Sequence, residues 1–135
     1  MDWKLEVVVV PVVDLDRAKR FYHEQVGFGL DHDTRIGEHS RVIQLTPRGS
    51  GCSIVLGTGI PQSVPGSLRG LQLVVDDVAA ARAELAERGV DVTEVRHLDG
   101  GGEWRPGPGE PWNSFIFFDD PEGNSWVIQE RPATT

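Results

Sequence analysis

The chain repeats one pattern. Residues 4–12, KLEVVVVPV, read as a buried valine-rich strand, and Asp14 follows as the cap of a helix. The three-four spacing of Ala18, Phe21, Tyr22 and Gln25 or Val26 carries that helix to about Gln25. Residues 71–75, LQLVV, lead in the same way to Asp77 and a second helix marked by Val78, Ala81, Leu85 and then Val90. Both helices stop at a glycine, Gly27 and Gly89, the residue that most readily takes the left-handed C-terminal cap. Val12 to Leu15 falls on Val75 to Val78 at an offset of 63 residues, and Gly27-Phe28 falls on Gly89-Val90 at 62.

Three strand-like segments follow each helix: 28–35, 40–46 and 52–57 in the first half, 91–97, 113–119 and 124–130 in the second. A glycine- and proline-rich stretch, residues 58–68, joins the halves. The expected organisation is α+β: module one at 1–57, a linker at 58–68 and module two at 69–132, in one domain. Either half alone would leave a sheet face uncovered, so the two sheets are expected to curve around a shared cleft.

Thirteen basic residues against twenty-one acidic ones give a formal net charge of −8. That balance argues against nucleic acid or an anionic membrane as partner and favours a cationic small molecule. No apolar run approaches the roughly 20 residues that span a bilayer. The single cysteine, Cys52, forms no internal disulfide, and the opening MDWKLEVVVVP has no signal-peptide pattern, so a cytoplasmic location is expected.

The strand–helix–three-strand duplication, the segment PVVDLDRAKRFYHEQVGF and the ending FDDPEGNSWVIQE resemble the vicinal oxygen chelate superfamily. That group includes glyoxalases, extradiol dioxygenases, fosfomycin-resistance enzymes and bleomycin-binding proteins. The resemblance implies two βαβββ modules forming one curved, partly open barrel around a cleft, and a homodimer. It also assigns DPEGN to the tight turn between the last two strands. Pro121 would set one dihedral there, Gly123 and Asn124 would tolerate positive φ, and Asp119, Asp120 and Glu122 would serve the turn and its solvation.

Family metal ligands, by the same resemblance, are a histidine on the first strand of each half and a glutamate on the last strand of the second. Those positions fall on Val7, Gly70 and Val127, and CSIVLG at 52–57 offers no fourth ligand. Valine and glycine side chains carry no donor atom, so neither a metal nor another cofactor is expected. Strand alternation turns Leu5, Val7 and Val9, Gly70, Gln72 and Val74, and Ser125, Val127 and Gln129 toward the cleft, with Trp126 and Ile128 on the helix side. Such a floor suits a sizeable organic ligand.

The connection from Arg96 to Ser114 is glycine- and proline-rich, yet it carries Trp104, Arg105 and Trp112. It is read either as a flap whose indoles stack on a planar or cationic ligand, or as a cover for the barrel end or a dimer contact. The candidate ligand-binding set is therefore Val7, Val9, Gln72, Trp104, Arg105, Trp112, Val127 and Gln129. His97 and Glu103, with Arg105, are the candidates for acid/base catalysis, His97 being placed at a strand end. His23 is expected on an exposed helix face, Cys52 as a small buried residue, and Trp3 and Trp126 in the core or a dimer contact. His32 and His39, with Asp31 and Asp33, flank a turn; DHD could attract zinc, but neighbouring strand residues point to opposite faces, so no structured site is expected there. Phosphate-binding loops, nucleophile elbows and zinc-protease motifs are absent from the sequence.

Two function classes follow, beside a bare interaction role. One is a metal-independent protein that sequesters a cationic or aromatic drug or metabolite. The other is an enzyme of the superfamily, a lyase, isomerase or dioxygenase-like catalyst with a non-standard site.

Overall fold

The computed structural model describes residues 1–133. The chain divides into two compact units, Met1–Leu68 with Asp120–Asn124, and Arg69–Asp119 with the chain from Ser125 onward.

The first unit holds β1 (Val7–Val9), α1 (Leu15–Arg20), β2 (Gly29–Ile36), β3 (Ser40–Thr46) and β4 (Ser53–Thr58). Its four strands lie in the order β1-β4-β3-β2, with β1 parallel to β4 and the other pairs antiparallel. Val10, Ile43, Leu45, Ile54 and Leu56 are buried, as are Ala18, Phe21 and Tyr22 of the helical segment. The first strand is shorter than the apolar run 4–12, with Val7–Val9 in parallel register against Ser53–Val55 of β4. Trp3, 87% exposed, lies outside the core. The helix is also not α throughout: Phe21–Val26 wind as a π-helix before Gly27 closes it.

The second unit holds β5 (Leu71–Val75), α2 (Val78–Glu87), β6 (Arg96–Leu98), β7 (Trp104–Pro106), β8 (Phe115–Asp119) and β9 (Ser125–Glu130). The five strands are ordered β5-β9-β8-β6-β7, with β5 parallel to β9. The strand expected at 91–97 is reduced to β6, preceded by a lone bridge between Val92 and Phe118. A strand absent from the sequence reading, β7, pairs with β6. The stretch read as a flap therefore begins with a hairpin. Asp99 closes it, its carboxylate accepting from the backbone N–H groups of Gly101 (2.8 Å) and Glu103 (3.0 Å) and from Arg105 Nε (2.8 Å).

The helix signals hold. The Asp14 carboxylate accepts from Arg17 N at 3.1 Å and that of Asp77 from Ala80 N at 3.0 Å, while Gly27 and Gly89 sit at φ 93° and 85°.

The acidic ending is tied more tightly than a solvated turn. Glu122 accepts from the N–H groups of Val13 (2.8 and 2.9 Å) and Asp14 (2.9 Å) at the start of α1. Glu130 likewise accepts from Val78 N at the start of α2, 2.9 Å away. Asp120 is buried rather than solvated, and it accepts from the Tyr22 hydroxyl at 2.7 Å. Gly123 takes positive φ, 100°, but Asn124 does not. Asn124 is instead a buried cross-link, its Nδ2 donating to the Pro11 carbonyl (2.9 Å) and to Asp120 (2.7 Å).

One ion-pair network ties α1 to the first sheet. Arg41 meets Asp33 through two bonds, 2.9 and 2.7 Å, and also reaches Asp16, while Lys19 Nζ lies 2.9 Å from Asp33. The hydrogen bonds from Arg41 hold the Asp33 carboxyl well below the usual carboxylate range, against the opposing effect of burial, with Lys19 adding to them. A carboxyl depressed in the folded state adds stability that is complete above its unfolded value of about 3.9 and is lost as pH falls below it. Asp33→Asn is expected to cost about 1 kcal/mol at pH 7. The deficit against wild type should shrink as the pH of urea titrations is lowered from 5 to 2. A deficit independent of pH would remove the ion pair as its cause.

Candidate functional site

The second unit's sheet has two unlike faces. Leu73, Ile116, Phe118, Trp126 and Ile128 alternate onto the side where α2 packs against β8 and β9. The ladder register puts Gln72, Val127 and Phe117 in one row of the opposite face, and Val74, Gln129, Phe115, Arg96 and Pro106 in the next. This second face is the candidate site.

Its centre is aromatic. The Trp104 indole stands edge-on to Phe115 (centroids 5.4 Å apart) and Phe117 (5.2 Å), and it remains 46% exposed. The Arg96 guanidinium lies 6.0 Å from the Phe117 centroid. Glu94, Arg96, Trp104, Arg105 and Pro106 line a pocket of about 290 Å³.

A chain of amides forms the other part of this face. Gln72 Nε2 donates to Gln129 Oε1 at 2.6 Å, and Gln129 Nε2 donates to the Trp112 carbonyl at 2.8 Å. Trp112 is the one non-glycine among the described residues with positive φ, 68°, and its side chain is 52% exposed. A bulky residue held in the left-handed region is strained, and such strain concentrates at functional positions.

Several expected site residues therefore share this face or its edge: Gln72, Trp104, Arg105, Trp112, Val127 and Gln129. Val7 and Val9 belong to the first unit, on β1. Of the catalytic candidates, His97 and Arg105 lie opposite each other on β6 and β7, and Glu103 directly precedes β7. His97 lies in the middle of β6 rather than at a strand end, with Nδ1 2.8 Å from the Gly107 carbonyl. The Glu103 carbonyl accepts from Asp99 N, and Arg105 is paired with Asp99. His23 is exposed, its Nδ1 2.7 Å from the Phe28 carbonyl, and Cys52 is half-buried rather than enclosed. Glu94, Arg96, Pro106, Phe115 and Phe117 are the members the sequence reading left out. The alternation applied to 124–130 would have found both phenylalanines, since Phe115 and Phe117 alternate with Ile116 and Phe118.

Residues 4–128 match the family model of the Glyoxalase/Bleomycin resistance protein/Dioxygenase superfamily. The chain belongs to this superfamily. TnmS3, an antibiotic binding protein from Streptomyces sp. CB03234, is 40% identical, with 96% of this chain and 97% of that one covered and a TM-score of 0.76. A glyoxalase/bleomycin resistance protein from the same Streptomyces is 41% identical over 93% of this chain and 99% of its own, TM-score 0.72. YetH of Bacillus subtilis is 24% identical, covering 94% of this chain and 98% of YetH.

At the positions that the resemblance assigns to the superfamily's metal ligands, Val7, Gly70 and Val127, this chain carries no donor side chain. Val7 and Val127 offer only methyl groups, and Gly70 sits at φ 79°, where any side chain, histidine included, would be strained. Among the described residues no three His, Cys, Asp or Glu side chains group so as to hold a metal ion. The residues present do not fit the group. Among the same residues, no helix is long and apolar enough to cross a membrane.

Proposed function

We propose that this protein is a metal-independent small-molecule-binding member of the superfamily that sequesters an aromatic, antibiotic-like compound without transforming it. The observation that carries the proposal is the exposed Trp104 indole braced by Phe115 and Phe117, a ready stacking surface on a rigid sheet. The 40% identity to an antibiotic binding protein over nearly the full length of both chains supports the same reading. So does the donor-free chemistry of Val7, Gly70 and Val127. Sequestration needs only affinity and abundance, and it stabilises the bound fold by mass action. A cytoplasmic location and a homodimer belong to the same proposal.

The test is a titration of chelator-treated protein with bleomycin and with the antibiotic bound by TnmS3, followed by tryptophan fluorescence. At least one of the two should give saturable quenching at one site per chain, with affinity unchanged within about twofold by added zinc, manganese or iron. Mass spectrometry should recover that compound intact after prolonged incubation. Turnover of either compound, or binding that appears only with a metal, overturns the proposal.

A further inference from the structure

We infer that the pocket of the second unit selects planar aromatic acids, with the ring system on the indole of Trp104 and the anionic oxygen held by Arg96. The inference rests on the binding function proposed above and adds the charge of the ligand to it. Two of the five residues lining the pocket are arginines and one is an acid, in a chain whose net charge is −8. Arg105 already has a carboxylate partner, Asp99, at 2.8 Å. Arg96 has no ion pair among the described residues. Its guanidinium and the Trp104 indole meet at the same ring, Phe117, 6.0 and 5.2 Å from its centroid.

That arrangement has a chemical preference. A guanidinium presents a planar fork of donors that matches a carboxylate or phenolate, and it stacks on aromatic surfaces, so it can read both parts of an aromatic acid. An ammonium-bearing ligand in the same place would meet a like charge. Glu94 is the one lining group that favours a cation, and its carboxylate is the competitor in the test. The acidic balance of the whole chain, from which a cationic ligand is expected, is screened over about 10 Å at 0.1 M salt. Contact with Arg96 is not.

Three probes on one ring system separate the possibilities: anthracenecarboxylate, anthracenemethanol and aminomethylanthracene, which are anionic, neutral and cationic at pH 7. Titrated at about 0.1 M salt, where the field of the whole chain is screened, the carboxylate is expected to bind about tenfold tighter than the alcohol, with the amine weakest. Arg96→Gln should abolish that order by weakening the carboxylate far more than the alcohol, and Arg96→Lys, which keeps the charge without the fork, should restore part of it. Tightest binding of the amine, equal binding of all three, or no saturation by any of them overturns the inference. Saturable binding of intact antibiotic with no discrimination among the three probes would sink this inference alone. An Arg96-dependent acid preference with turnover of the antibiotic would sink only the sequestration reading.

Discussion

Asn124→Ala is expected to lower the free energy of unfolding by about 3 kcal/mol, a large effect for one side-chain amide. The side chain is wholly buried and makes three bonds: Nδ2 to the Pro11 carbonyl at 2.9 Å, Nδ2 to Asp120 at 2.7 Å, and Oδ1 from Leu68 N at 3.0 Å. Alanine removes all three and leaves the buried Asp120 carboxylate one donor short. Asn124→Asp should be no milder, because it sets a second carboxylate against Asp120 while keeping the shape of the amide. Urea denaturation with an unchanged slope is the measurement. A loss under 1 kcal/mol in both variants would mean that water takes over the amide's role.

The two exposed indoles of the second unit, Trp104 and Trp112, should respond differently to truncation. Trp104→Ala removes the stacking surface and its edge contacts with Phe115 and Phe117, so antibiotic binding should weaken by about a hundredfold, with stability falling by about 1 kcal/mol. Trp112 sits at φ 68°, a conformation that costs an L-residue roughly 1–2 kcal/mol and costs glycine almost nothing. Trp112→Gly should therefore match or exceed wild type in stability, after the greater freedom of glycine in the unfolded chain is set against the relief. Trp112→Ala keeps the strain and loses the indole, so it should be the less stable of the two. Both Trp112 variants should bind about tenfold more weakly than wild type, as expected if strain is retained there to present the ring. Full affinity in both would show that the indole is not used.

The helices were legible in the sequence because their boundaries depend on local chemistry. Asp14 and Asp77 cap through bonds three residues away, and Gly27 and Gly89 end each helix by their own backbone freedom. The hairpin of β6 and β7 was not legible, since Gly100 to Gly102 and the nearby prolines carry the composition of a loop. What orders it is Asp99 at its turn and the rings of Phe115 and Phe117 under Trp104. Arg96 was hidden for a related reason. Its neighbours are set by register with β8 and β7, and net charge describes the chain rather than the ten ångströms around one guanidinium. The acidic ending misled in another way: Glu122 and Glu130 have partners 109 and 52 residues distant in sequence.

The first unit is not a continuous piece of chain, because Asp120–Asn124 belongs to it. A ribosome delivering this protein has made α1 and all of β1 to β4 long before it supplies Glu122 for the start of the helix, Asp120 for Tyr22 and Asn124 for Pro11. Until then those groups must be satisfied by water, and the half-made product has the helix and strands of its first unit without the clasp. Completion of the first unit therefore waits on residues 98 to 113 positions further along the chain than the groups they join, the kind of long-range closure that makes folding slow and leaves a nascent chain dependent on protection from its neighbours.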